Sequence, residues 1–512
     1  MTMKLNHDLV GTLGGIRRGI EKETLRTTKR GTLAQTPHPK SLGAALTHPF
    51  ITTDFAEAQL ELITPAFTDK LKMFELLASL HHFVATELPQ GETLWAGSLP
   101  PVLPNDDDIT IAQYGTSNAA QMKMKYRRGL ANRYGKRMQT ISGIHYNFSF
   151  PEVFWQQLHA HENSEQTLSD FISEKYFHMI RNVIRHGWII PFLFGASPAV
   201  DKSYVLGREH HLEAMGDDTL YLPWATSLRL SNLGYTNSEQ SNYPLNYDSK
   251  MAYLKGVSDL LAMTSDKYRH LDASQQLNAS VLQLENELYS SVRPKVVSAE
   301  LRPLDAMCQH GVEYVELRTV DNNPYLPLGI NDMQSHFLDL FLTHCALSTS
   351  PSLTPEELAI VQQRVERVAT QGRKPDLLLP TLDGDLRLAD MGQTLLASMK
   401  EVAAMFDAAF DTQAYSLSVS LENQKFTDTS LTPSAMLLAD MRATGLGYRA
   451  LVQRLSDGHM LTHTAHSVSD DMRTELQQWV AKSLRDQEAL ERADDVPFDA
   501  FLRRKTAMTC DC

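Results

Sequence analysis

The run GIRRGIEKETLRT, residues 15–27, decides how the rest of the chain is read. Glu21 and Glu23 flank Lys22 among Ile16, Gly19, Ile20, Thr24 and Leu25. As a strand, the run alternates faces, so both carboxylates project to one side and Lys22 and Thr24 to the other. Two like charges side by side cost free energy unless a cation lies between them or one takes a proton. Taken alone, the run also fits a strand whose solvated face carries two glutamates. A second acidic run, ITTDFAEAQLELITP at residues 51–65, adds Asp54, Glu57 and Glu61. Carboxylates gathered with no basic run beside them suit hard divalent cations, which take oxygen donors.

The chain has 512 residues, enough for about two to four domain-sized units, and 42% hydrophobic residues, enough for a sizeable core. A net charge of -13 (48 basic against 61 acidic residues) argues against a nucleic-acid partner. The start, MTMKLNHDLVG, lacks the apolar stretch of a secretion signal. The greasiest runs, near 188–200 and 337–347, are too short or interrupted to span a bilayer. Four cysteines make no disulfide framework. These features predict a cytoplasmic protein with no membrane partner.

Residues 69–87 carry apolar side chains at helical spacing (Leu71, Phe74, Leu77, Leu80, Phe83), with His81 and His82 read as packing or surface residues. Residues 98–108 form a Pro- and Asp-rich loop ending in Asp106–Asp108, read as solvated. QMKMKYRRGLANRYG, residues 121–135, is a basic helix stopped by Gly135. MQTISGIHYNFSF, residues 138–150, alternates as a strand that puts His145 and Asn147 on one face. Residues 220–237 form an extended or looped segment presenting Arg229 and Tyr235. In residues 281–295, alternation puts Gln283, Glu285 and Glu287 on one face. GVEYVELRTVDNNP, residues 311–324, is a third acid-bearing strand, with Glu316 and Arg318 on one side. Beyond about residue 331 the chain turns helical, over 337–347, 355–370, 391–410, 434–443 and 472–493.

Gly14 to Gly19 has the spacing of a phosphate loop, but Ile20 and Glu21 stand where Lys and Ser or Thr belong. No dinucleotide fingerprint fits either. A bound nucleotide would therefore be held through cations on the carboxylates and directly by arginines, whose forks match phosphate. Arg127, Arg229 and Arg318 are the candidates, and a structural ion pair is the alternative for each. His459, His463 and His466 space as H-x3-H-x2-H, but no carboxylate or cysteine completes a site nearby. Gly458 and Thr or Ser neighbours weaken a helix there, so the trio reads as a surface or loop cluster. Cys510 and Cys512 read as free thiols in a disordered tail.

GIRRGIEKETLR, ALTHPFITTDFAEAQLELITP, AQYGTSN, NRYGKRMQTISGIHYNFSF, PFLFGASPA, ATSLRLSNLGYTN, LQLENELYSSVRPK and GVEYVELRTVDNNP occur here in that order. Through them the chain resembles the proteobacterial-type glutamate–cysteine ligases, closely to about residue 330 and more loosely beyond. The resemblance implies an α+β fold: a glutamine-synthetase-like catalytic domain with a curved, mainly antiparallel sheet over residues 1–330, a helical region over 331–505, and a tail over 506–512. It implies ligation of the γ-carboxylate of L-glutamate to the amine of L-cysteine through γ-glutamyl phosphate, the first step of glutathione biosynthesis. ATP would be the co-substrate and Mg2+, or Mn2+, the cofactor.

By the same resemblance Glu21, Glu23, Asp54, Glu61, His145 and Glu316 are metal ligands. Arg318 contacts the transferring phosphoryl group, and Arg127 and Arg229 lie near glutamate and phosphate. Phe55, Tyr126, Leu130, Gln139, Tyr235 and Tyr289 form the cysteine pocket. A monomer inhibited by glutathione is expected. Asn232 stands where relatives are expected to carry aspartate. The rival readings are a related carboxylate–amine ligase with another amine acceptor, a metal-dependent phosphohydrolase, and a non-catalytic metal-binding protein.

Overall fold

The structure is a computed structural model, and it describes residues 7–234, 239–466 and 468–507. Its strands are β1 (Arg17–Thr28), β2 (Ile51–Thr53), β3 (Gln59–Ile63), β4 (Glu92–Leu94), β5 (Gly143–Ser149), β6 (Ala199–Asp201), β7 (Glu213–Met215), β8 (Thr219–Tyr221), β9 (Val292–Lys295) and β10 (Tyr314–Asp321). A further two-residue pair lies at 378–387. The helices of the first part are α1 (His7–Thr12), α2 (Lys70–Glu87), α3 (Asn118–Tyr134), α4 (Glu152–His161), α5 (Leu168–His186), α6 (Ile189–Phe194), α7 (Lys250–Ala262) and α8 (Pro303–His310). After β10 the regular structure is almost wholly helical: α9 (Asp332–Leu347), α10 (Pro355–Gln371), α11 (Leu388–Phe410), α12 (Ala414–Gln424), α13 (Pro433–Thr444), α14 (Tyr448–Ala465), α15 (Asp470–Ala493) and α16 (Phe498–Thr506).

The main sheet has seven strands in the order β2-β3-β1-β5-β10-β9, with β4 pairing the far end of β1. All its pairings are antiparallel. The architecture is therefore α+β, an antiparallel sheet followed by a helical C-terminal region. β1 is the axis, because its twelve residues reach β3, β4 and β5 in turn. One face of the sheet is apolar. Ile20 pairs with Tyr146, and Tyr146 in turn with Leu317, all of them buried. The core they begin runs on without a break from Leu9 to Leu476, taking in side chains of α5, α6, α9 and α11.

Local chemistry sets the helix ends. The Asp69 carboxylate caps α2 by accepting from the amides of Leu71 and Lys72. Asn331 and Gln334 form a reciprocal box at the start of α9. Gly135 ends α3 at φ +83°, a conformation that other residues reach only with strain.

Behind the sheet a buried ionic knot joins several of these elements. Asp339 of α9 accepts from Arg18 Nε at 2.9 Å and Tyr146 Oη at 2.8 Å, and it pairs with Lys70 Nζ at 2.8 Å. Burial alone would raise the Asp339 carboxyl, but Arg18 and Lys70 outweigh it and hold the group down to about 2. Asp339→Ala would leave two cations uncompensated, so a loss of about 3–5 kcal/mol is expected, read from the urea midpoint. Because this carboxyl is depressed on folding, its contribution is complete above about pH 4. It should fade as pH falls toward 2 in wild type, and the variant should show no such component.

Three sequence expectations change here. Only residues 292–295 of the 281–295 run form a strand. Glu285–Glu287 is instead a 3-10 turn, with Glu285 paired to Arg302 and Glu287 to Arg133. Helices α12 and α16 appear where none was expected. α14 carries through His459 and His463 and ends at Ala465, with His466 as its C-cap, because Gly458 sits on an open side of the helix while Leu451 and Val452 are buried.

Candidate active site

The polar face of the sheet gathers the acidic residues by strand register. Glu23 lies opposite Glu61 of β3, and Glu21 lies opposite His145 of β5. Glu316 of β10 lies between Asn147 and Arg293. These positions share one face because each is an even number of residues from its neighbour along its own strand. Lys22 falls on the other face, where its Nζ meets His81 Nε2 at 2.8 Å.

A cavity of about 490 Å3 opens over this face, with walls from α3, the 284–289 turn and α16. It is lined by Glu21, Glu23, Asp54, Glu61, His145 and Glu316, and by Arg127, Arg318, Phe55, Tyr126, Leu130, Gln139 and Tyr289. Nearly every residue expected at the site is therefore brought to one place. Two are not. Tyr235 lies outside the described residues. Arg229 does not line the cavity: it is buried, donates to Asp321 at 2.7 Å and to the carbonyl of Val320 at 2.8 Å, and packs under Gly143. Its guanidinium is held in a structural pair. Glu57 also turns away, accepting from the amides of His38 and Gln113.

Electrostatics divide the cavity. On one side Glu316 meets Arg318 at 3.0 Å, Lys295 at 3.2 Å and Arg293 at 3.8 Å. Burial would raise its carboxyl, but these cations hold it well below the usual carboxylate range. On the other side burial, and then repulsion from Glu21 and Asp54, pushes Glu61 up to about 8. Glu23 is raised by burial and by Asp54 and Glu61.

His145 bridges the two sides. Its Nδ1 lies 3.1 Å from Glu21 Oε2, and its Nε2 lies 3.5 Å from Glu23 Oε1. Burial, and then Arg318, lowers its pKa, which favours the neutral, ligating form. Asn147 donates to the other Glu21 oxygen at 2.8 Å.

This donor set fits hard divalent cations. One ligand atom each from Glu21, His145 and Glu316 lies within 4.8 Å of the others. The repulsion among Glu23, Asp54 and Glu61 is what a cation would remove.

The other wall is mostly apolar. Phe55 and Leu130 are buried, and Gln139 Nε2 donates to Tyr289 Oη at 2.9 Å. Arg127 is anchored on the carbonyl of Asp54 at 2.5 Å and over the ring of Tyr114. Sequence reasoning missed Lys123, Arg293, Lys295, Phe501 and Lys505, which also line the cavity. The alternation of VRPK would have found Arg293 and Lys295. No local signal marks Phe501 or Lys505.

Fold and site together define a class: proteins that carry an acidic, arginine-lined cavity on the open face of an antiparallel sheet. A family model described as glutamate-cysteine ligase matches residues 3–368. The glutamate–cysteine ligase of Alcanivorax borkumensis is 42% identical over 513 residues, covering 97% of each chain. That of Azotobacter vinelandii is 43% identical over 493 residues, covering 94% of this chain and 93% of the relative. The crystal structure of the Francisella tularensis glutamate–cysteine ligase in complex with AMP superposes with a TM-score of 0.90 at 33% identity, covering 96% of this chain and 97% of that one. The chain belongs to the glutamate-cysteine ligase family. No helix among the described residues is long and apolar enough to cross a membrane.

Proposed function

We propose that the protein joins the γ-carboxylate of L-glutamate to the amine of L-cysteine with conversion of ATP to ADP and phosphate, the first step toward glutathione. The observation that carries this reading is a single cavity pairing an acidic, cation-demanding side with an apolar, tyrosine-lined side. A free carboxylate is a poor acylating agent. In the first step a γ-carboxylate oxygen attacks the γ-phosphorus of ATP, the bond to the ADP oxygen breaks, and γ-glutamyl phosphate forms. The cysteine nitrogen then attacks the acyl carbon, the carbon–oxygen bond to phosphate breaks, and the amine proton is lost.

Glu21, Glu23, Asp54, Glu61, His145 and Glu316 would hold Mg2+ or Mn2+, which supplies neutralisation of the nucleotide's phosphate charge. Arg318, tethered to Glu316, presents donors toward the transferring phosphoryl group, where one such donor is typically worth about 3–4 kcal/mol. Arg127, fixed by the Asp54 carbonyl, orients the amino-acid carboxylates. Phe55, Tyr126, Leu130, Gln139 and Tyr289 enclose the cysteine side chain and keep water from the acyl phosphate. Glutathione carries the same γ-glutamyl-cysteinyl group and would inhibit by filling this cavity.

ADP release measured with each amino acid omitted in turn tests the reading. Release is expected to require L-glutamate and to accelerate with L-cysteine. Equal release without glutamate would mark a phosphohydrolase. Acceleration by another amine but not by cysteine would mark a different ligase.

A further inference from the structure

On the face of β1 opposite the cavity, α2 and α14 bring imidazoles together. The ring centres of His82 and His463 lie 5.2 Å apart, and those of His82 and His466 lie 5.8 Å apart. Zinc–nitrogen bonds of about 2.0–2.1 Å at tetrahedral angles place neighbouring ring centres about 5 Å apart.

Carbonyl partners fix which nitrogens are free to ligate. His466 Nδ1 lies 2.8 Å from the Thr462 carbonyl, which only accepts, so Nδ1 carries the proton and Nε2 keeps its lone pair. His463 Nε2 lies 3.3 Å from the Pro327 carbonyl, which leaves the lone pair on Nδ1. That Nδ1 is buried without a hydrogen-bond partner, on a side chain only 3% exposed. A backbone carbonyl behind the second ring nitrogen is the usual support of a metal-bound histidine. The neighbouring His81 is already engaged, donating from Nδ1 to the Leu77 carbonyl and facing Lys22 through Nε2.

We propose that His82, His463 and His466 form a second metal site, for one divalent transition-metal ion of the zinc type with water completing its coordination. An all-imidazole donor set favours Zn2+, Ni2+ or Cu2+ over Mg2+. Burial, and then Lys22 and His82, pushes His463 down to about 3, so it is neutral and available to a metal near neutral pH. Lys22, whose Nζ meets His81 Nε2 at 2.8 Å, is the cation facing the cluster. Among the described residues, only the Glu21, His145 and Glu316 ligand atoms already converge. Metal binding here therefore turns the partly exposed His82 ring toward His463 and His466, with His466 Nδ1 staying on the Thr462 carbonyl.

The test is Zn2+ affinity of the full chain without a histidine tag, in excess Mg2+ to fill the carboxylate cavity, by competition with a chromogenic chelator. Wild type is expected to hold one Zn2+ per chain. His82→Ala and His466→Ala alter accessible side chains and should each bind at least about tenfold more weakly. Both should keep wild-type turnover in zinc-free Mg2+. Three results would each overturn the proposal: no Zn2+ retained by wild type, unchanged affinity in both variants, or loss of Zn2+ confined to His145→Ala. The last would place the ion in the carboxylate cavity instead.

Discussion

Glu316→Gln is expected to lower kcat/KM at saturating Mg2+ by at least about 100-fold, since losing even a supporting metal interaction costs 10–100-fold. It is also expected to lower thermal stability when divalent cations are absent. The substitution keeps the side chain's volume but removes its charge. In the free protein that charge sits among Arg318, Lys295 and Arg293, all within 4 Å. Removing the anion leaves three partly buried cations facing one another. Arg318 and Lys295 keep 23% and 33% exposure, so solvent screens part of the cost. A loss of about 1–3 kcal/mol is expected, below the full penalty for breaking a buried pair. Thermal melts in EDTA and steady-state rates in Mg2+ check the two halves.

Glu23→Gln should produce a comparable loss of activity with the opposite effect on stability. Glu23 is 3% exposed, faces Glu61 across the β1–β3 register, and feels Asp54 as well. Burial and these carboxylates raise its pKa, so a neutral amide relieves repulsion in the cation-free protein. The backbone amide of Gly143 donates to Glu23 at 2.8 Å, and the glutamine oxygen can still accept it. The melting temperature in EDTA should rise, and the gain on adding Mg2+ should shrink. From charge counting alone, both substitutions would be expected to relieve carboxylate repulsion. The cations around Glu316 reverse the sign for one of them.

Where a residue's placement follows from strand alternation, the sequence was enough. Glu21 and Glu23 on one face with Lys22 on the other, His145 beside Asn147, and Glu316 two residues from Arg318 all follow from a period of two. The helix at 70–87 was legible from its apolar spacing, and most of that at 118–134 from its helix-prone composition and the stop at Gly135. Alternation misled at 283–287, where a tight turn places Glu287 against Arg133, a partner 154 residues away in sequence. Arg229 looked like a phosphate arginine because nothing local reveals that Asp321 claims it. The histidine trio read as a surface or loop cluster because Gly458 and its polar neighbours lower helix propensity; packing of α14 overrides this at His459 and His463, while His466 caps the helix and is exposed. Phe501 and Lys505 reach the cavity only because α16 docks on α3, with Lys125 over Phe498 and Arg302 on the Thr506 carbonyl. The tail cysteines Cys510 and Cys512 lie outside the described residues.

In the proposed mechanism the γ-carboxylate of glutamate is phosphorylated before the amide forms. L-glutamate labelled with 18O in its γ-carboxylate, turned over with ATP and L-cysteine, tests this directly. Attack of that carboxylate on the γ-phosphorus carries one labelled oxygen into the phosphate released when the amide forms. Mass spectrometry of the phosphate should show one 18O per molecule of γ-glutamylcysteine made. Amide formation with unlabelled phosphate would contradict the account.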